Sequence, residues 1–183
     1  SAARDWVPPE LMPVLKELAR PARQSDMPWR IELCQHGLRR MKRGQNPWLW
    51  AALQDALATS LAQSPSGERA ENLERAIEHY HRALEVRTRQ SCPTQWATTQ
   101  NNLANAYVGR VMGGRADNLE RAIEHYHLAL EVYTRQTFPA QWAMIQNNLG
   151  TAHVARIAGR RADNLERAIE HYRLALEVYT RQA

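Results

Sequence analysis

The 183-residue chain repeats itself, and the repeat limits its fold more than any other feature. The string NLERAIEHY occurs at Asn72 to Tyr80, Asn118 to Tyr126 and Asn164 to Tyr172, a step of 118 − 72 = 164 − 118 = 46 residues. Trp50, Trp96 and Trp142 keep that step, as do Gln54, Gln100 and Gln146, and Leu57, Leu103 and Leu149. Such self-similarity is the signature of stacked supersecondary units, each unable to bury its apolar face alone. Units are therefore expected at 48–93, 94–139 and 140–183, the last two differing at 12 of 44 aligned positions. A further step of 46 backwards places Ile31, Glu32, Leu38 and Pro47 under Ile77, Glu78, Leu84 and Pro93, so a degenerate, cap-like hairpin is expected at 1–47. Its first half is eroded by Pro8, Pro9 and Pro13, although Leu11 still lies under Leu57.

Each unit reads as two helices. In the second, Leu119, Ala122, Ile123, Tyr126, Ala129, Leu130 and Tyr133 recur at spacings of three and four, the stripe of an amphipathic helix. Asp117 with Glu120, and Asp163 with Glu166, suggest N-caps with a capping-box acid. Asp117/Arg121 and Glu131/Arg135 are spaced to pair along the outer face. In the first helix, Trp142, Ile145, Leu149, Ala152 and His153 form a similar stripe, with Pro139 as a helix break before it and Gly159 near its end. The fold class expected is all-α, a solenoid of helical hairpins.

Leu149-Gly150 with His153, then Ala168, Tyr172 and Ala175, resembles the tetratricopeptide repeat, as do Leu103-Ala104 with Tyr107, then Ala122, Tyr126 and Ala129. The period is 46 residues instead of 34, and Gln100 or Gln146 stands where that family carries Trp. The QNNL segment resembles the longer repeats of kinesin light chains. NLERAIE resembles arrays in large bacterial signalling proteins, where such repeats accompany a caspase-like protease or a signalling nucleotidase. The resemblance implies a right-handed superhelix whose first helices line a concave, peptide-binding face, often through asparagine ladders.

Rotating 100° per residue from Leu149 puts Asn147, Thr151 and Val154 on one face, and Asn101, Asn105 and Val108 in the unit before. Asparagine amides both donate and accept, which suits the backbone of an extended peptide. Asn102 and Asn148, about 100° round, either join that face or tie adjacent hairpins together.

No catalytic constellation stands out, so an enzyme is not expected; Gly113-Gly114-Arg115 lacks the P-loop pattern, and neither G-x-S-x-G nor H-E-x-x-H occurs. The histidines of His79-Tyr80-His81 and His125-Tyr126-His127 diverge by about 200° on a helix, so no metal site and no cofactor are expected. His153 takes the slot of Tyr107, and Cys34 that of Tyr80; both read as core. Of the net charge of +5, residues 1–47 carry +4, from nine basic and five acidic groups, with Arg39, Arg40, Lys42 and Arg43 as a basic patch. Nucleic acid on this patch is the third-ranked function, because Trp50, Trp96 and Trp142 keep repeat spacing and so read as structural.

No run of about 18 apolar residues occurs, so no membrane span is expected. SAARDWVPPE lacks a basic and an apolar region, and two distant cysteines make no disulfide framework, so no signal peptide and a cytoplasmic setting are expected. The function expected is a non-enzymatic module that binds a peptide or partner domain. The alternative is a rigid spacer or homo-oligomer stacking through an uncapped C-terminal hairpin, where Arg181-Gln182-Ala183 ends a second helix.

Overall fold

A computed structural model describes residues 7–180. The opening six residues and Arg181-Gln182-Ala183, to which the expectations about a leader and about the C-terminal end refer in part, lie outside the described residues. The described residues form helices and no strand: α1 (Met12–Leu18), α2 (Met27–Arg40), α3 (Pro47–Gln63), α4 (Arg69–Leu84), α5 (Pro93–Gly109), α6 (Arg115–Leu130), α7 (Pro139–Ala155) and α8 (Arg161–Tyr179). They fall into two compact units, one up to Thr88 and one from Arg89 onward. The first holds α1 to α4, with α3 packed on both α2 and α4; the second holds α5 to α8, with α7 packed on both α6 and α8.

The amphipathic stripes go inside as their spacing requires. Leu119, Ala122, Ile123, Tyr126, Ala129 and Tyr133 are buried, and so are Leu103, Leu149, Ile145 and Ala152 on the first helices. Leu11, Val14, Met41 and Leu53 make one core cluster of the first unit, and Cys34 of α2 is fully buried. Prolines do not break the first helices; Pro47, Pro93 and Pro139 begin them, where the missing N–H is no loss and the fixed φ is already helical.

Two local expectations are corrected. The second helices start before Asp117 and Asp163: α6 begins at Arg115 after Gly114 and α8 at Arg161 after Arg160, neither with a side-chain cap. The acids sit in the first turn, where they complement the helix dipole instead of capping it. Nor does Glu131 pair with Arg135 along one helix, although Arg82 does so with Glu78, and Arg173 with Glu170 and Glu177. Glu131 pairs with Arg89 and Arg135 with Glu177, as Glu85 does with Arg43, so each arginine ahead of a first helix reaches the end of that hairpin's second helix.

What defines the turn inside each hairpin is the asparagine of NLERAIEHY. Asn72, Asn118 and Asn164 are buried, and their Nδ2 atoms donate to the carbonyls of Ser66 (2.8 Å), Met112 (2.9 Å) and Ala158 (2.9 Å). Arg110 Nη1 donates to Asn118 Oδ1 at 3.2 Å, and Arg156 Nη1 to Asn164 Oδ1 at 3.3 Å. Gly67, Gly113 and Gly159 supply the left-handed residue that each turn needs, at φ of 82°, 77° and 82°. Part of the excess over a shorter hairpin repeat is thus a turn with its own side-chain latch.

Candidate functional site

Two sets of surface residues stand out, one in each unit. In the second unit, α7 exposes Met144 (40%) and Val154 (38%) together with Asn147 and Thr151, all on one side of the helix. Thr151 Oγ1 bonds its own helix at the Asn147 carbonyl (3.1 Å) and meets the Tyr172 hydroxyl at 3.2 Å. The Asn147 amide has no hydrogen-bond partner among the described residues.

The equivalent positions on α5 differ. Asn101, which rotation places on the open face, is 5% exposed. Asn148 of α7 lies over it, its Nδ2 at 3.4 Å from both Asn101 Oδ1 and Asn105 Oδ1. Asn105 is exposed yet accepts from the Tyr126 hydroxyl at 2.5 Å. Asn102 and Val108 are half-buried, and Asn102 Oδ1 accepts from Asn101 Nδ2 at 3.3 Å. The rotation argument treats a helix as standing alone, whereas Asn148 from the next hairpin fills the space beside Asn101. In the first unit the matching residue, Asp55, is paired with Arg87 at 3.1 Å.

A regular polar contact, not apparent from motifs, explains the glutamine that replaces tryptophan. His79, His125 and His171 meet Gln54, Gln100 and Gln146 through Nδ1 and Oε1 at 2.5, 2.7 and 2.6 Å. These pairs lie 25 residues apart in each of the three hairpins from Pro47 onward, so the shared period of the two residue types was the signal for them. Burial and the neighbouring Arg82 hold His79 down to about 4, and burial with His127 nearby lowers His171, so both rings are neutral at pH 7. Among the described residues no cluster of three His, Cys, Asp or Glu side chains is arranged to hold a metal ion.

The second set lies in the first unit, at the junction of α2, α3 and α4. Gln35, Leu38, Arg39, Trp50, Gln54, Leu57, His79 and Arg82 line a cavity of about 360 Å³. The basic patch is divided around it. Arg40 bonds His36, Arg43 pairs with Glu85 and lies 5.7 Å over Trp50, and Lys42 is exposed. Arg39 has no ion-pair partner among the described residues, and Arg82 pairs with Glu78.

Repeated hairpins with side-chain-latched turns define a helical-repeat protein with no helix, among the described residues, long and apolar enough to cross a membrane. Residues 51–175 match the family model described as "Soluble NSF attachment protein, SNAP", an α-helical, tetratricopeptide-like repeat family. The match covers more than half of the chain, which belongs to that family. No curated protein and no solved structure matches it.

Proposed function

We propose that the chain is a non-enzymatic protein-binding module and that the α7 stripe holds an extended segment of its partner. The observation that carries this is Asn147: an exposed amide without a partner, flanked by Met144 and Val154, offers a donor and an acceptor to a peptide backbone beside apolar contact. Membership of an attachment-protein family supports a protein partner. The Leu-Gly and Ala-x₃-Tyr spacing supports a long tetratricopeptide-type repeat, and NLERAIE supports a cytoplasmic place in a larger bacterial signalling or defence protein. A photo-crosslinking residue at position 144 is expected to capture one defined protein in the native cell. Asn147→Ala should weaken that capture severalfold and leave the far-UV circular dichroism unchanged. Undiminished capture by the variant removes this reading.

A second reading, self-association, rests on α8. Leu165 (38%), Ile169 (66%) and Tyr179 (44%) are exposed, whereas Leu119, Ile123 and Tyr133, one period of 46 residues earlier, are buried. With Leu176 (58%) they form an apolar row on one helix face. Light scattering across a concentration range is expected to show a rising mass that Ile169→Glu returns to the monomer value. A constant monomeric mass for the unaltered chain sinks this alternative.

A further inference from the structure

The three-helix junction that forms the 360 Å³ cavity in the first unit recurs in the second, built from α6, α7 and α8. The eight lining positions map by steps of 92 residues, two periods, onto His127, Leu130, Glu131, Trp142, Gln146, Leu149, His171 and Leu174. Five are identical: Leu38 and Leu130, Trp50 and Trp142, Gln54 and Gln146, Leu57 and Leu149, His79 and His171. These include the buried leucine and the Gln–His contact, and packing accounts for them. The other three differ in a way packing does not require. Gln35 stands for His127, Arg39 for Glu131, and Arg82 for Leu174. Formal charge over the set changes from +2 to −1 with the histidines neutral.

The two arginines are conspicuous in their setting. Glu131 in the second unit is held by Arg89, and Leu174 is half-buried. At the same places in the first unit stand an arginine with no ion-pair partner among the described residues and another whose only acid there is Glu78. Both line a cavity whose other walls are Trp50, Leu38 and Leu57 together with Gln35, Gln54 and His79. Guanidinium groups present planar forks of donors that match carboxylate and phosphate oxygens, and Trp50 adds an aromatic surface beside them. With Gln54 Oε1 as acceptor, His79 Nδ1 carries the hydrogen and the ring stays neutral, so it adds polarity without charge. About 360 Å³ falls in the lower part of the range for small-molecule pockets.

We propose that this cavity binds a small oxyanion carried on an aromatic body, with Arg39 and Arg82 holding the carboxylate or phosphate and Trp50 and Leu38 covering the ring. The site is separate from the α7 stripe and does not depend on it.

Calorimetric titration of the purified chain with benzoate and with phenyl phosphate tests this, with phenol as the neutral control. Binding of at least one anion at millimolar concentration or tighter is expected, with phenol at least about tenfold weaker. The anion that binds tells whether carboxylate or phosphate is preferred. Arg39→Glu with Arg82→Leu installs the residues that the second junction already accommodates, and should abolish binding with the melting curve retained. If that double variant unfolds, Arg39→Gln, at an exposed site, should still weaken binding about tenfold. Arg40→Gln, outside the cavity, should leave it unchanged. No binding of either anion to the unaltered chain, equal binding of phenol, or equal binding by Arg39→Gln would overturn the proposal.

Discussion

Asn118→Ala is expected to destabilise the second unit by about 2–3 kcal/mol, a cost out of proportion to an amide on a polar helix start. The side chain is buried, and both ends of its amide are used: Nδ2 on the Met112 carbonyl and Oδ1 on Arg110 Nη1. Alanine removes two hydrogen bonds worth about 1 kcal/mol each and leaves a loop carbonyl without its donor. That carbonyl lies next to Gly113, whose left-handed conformation the turn must hold. A fall of roughly 5–10 °C in the midpoint followed by far-UV circular dichroism is the expected result. Asn118→Asp separates the two ends, because it keeps an acceptor for Arg110 but loses the donor to Met112; a loss intermediate between wild type and alanine should follow. A midpoint within about 1 °C of wild type for Asn118→Ala would show that the turn is held by backbone alone.

The repeat made the hairpins legible. Identical spacing of Leu103 and Leu149, or of Tyr80 and Tyr126, reports positions whose burial the stacking demands, and those residues are inside. Polar assignments were less accessible for a physical reason: a helical wheel gives direction about one axis, while solvent exposure depends on what the next helix places there. Asn101 and Asn147 share a wheel position, yet Asn148 lies over the first and the second is open. Glu131 and Arg135 likewise found partners across the hairpin, not one turn along, because the helix ends bring Arg89 to Glu131 and Arg135 to Glu177. The oxyanion cavity was hidden in the departures from periodicity. Arg39 was legible as part of a basic cluster, but its separation from Arg40 and Arg43, and its convergence with Arg82, needs three helices in place.

Acid is expected to loosen the second unit through His153, and replacing that residue should remove most of the effect. His153 is 4% exposed, stacks on His171 at 5.3 Å, and its Nδ1 is the one buried side-chain polar atom among the described residues without a hydrogen-bond partner. Burial first, then His171, Arg156, Arg167 and His127, lower its pKa from 6.5 to about 4; the facing acid is Glu120, which is bound to Arg156 through both carboxylate oxygens. A histidine whose folded pKa lies below its unfolded value takes up its proton more readily when unfolded. Stability is therefore full above the unfolded pKa and falls as the pH drops from about 6.5 towards 4. At pH 5 the ring would cost about 2 kcal/mol relative to neutral pH. The second unit already contains the replacement: Tyr107 occupies the same slot, stacks on His125 at 5.5 Å, and accepts from Arg121 Nη1 at 3.4 Å, while Arg167 stands in Arg121's place. Urea denaturation at pH 7.5 and pH 5 should show a smaller difference in His153→Tyr than in wild type, by about 2 kcal/mol. The variant should also gain stability at neutral pH, since the unpartnered nitrogen is gone. The same pH dependence in both proteins would mean that His153 is protonated equally in the folded and unfolded chain, and that the acid response arises at the other histidines whose pKa burial lowers, His79, His127 and His171.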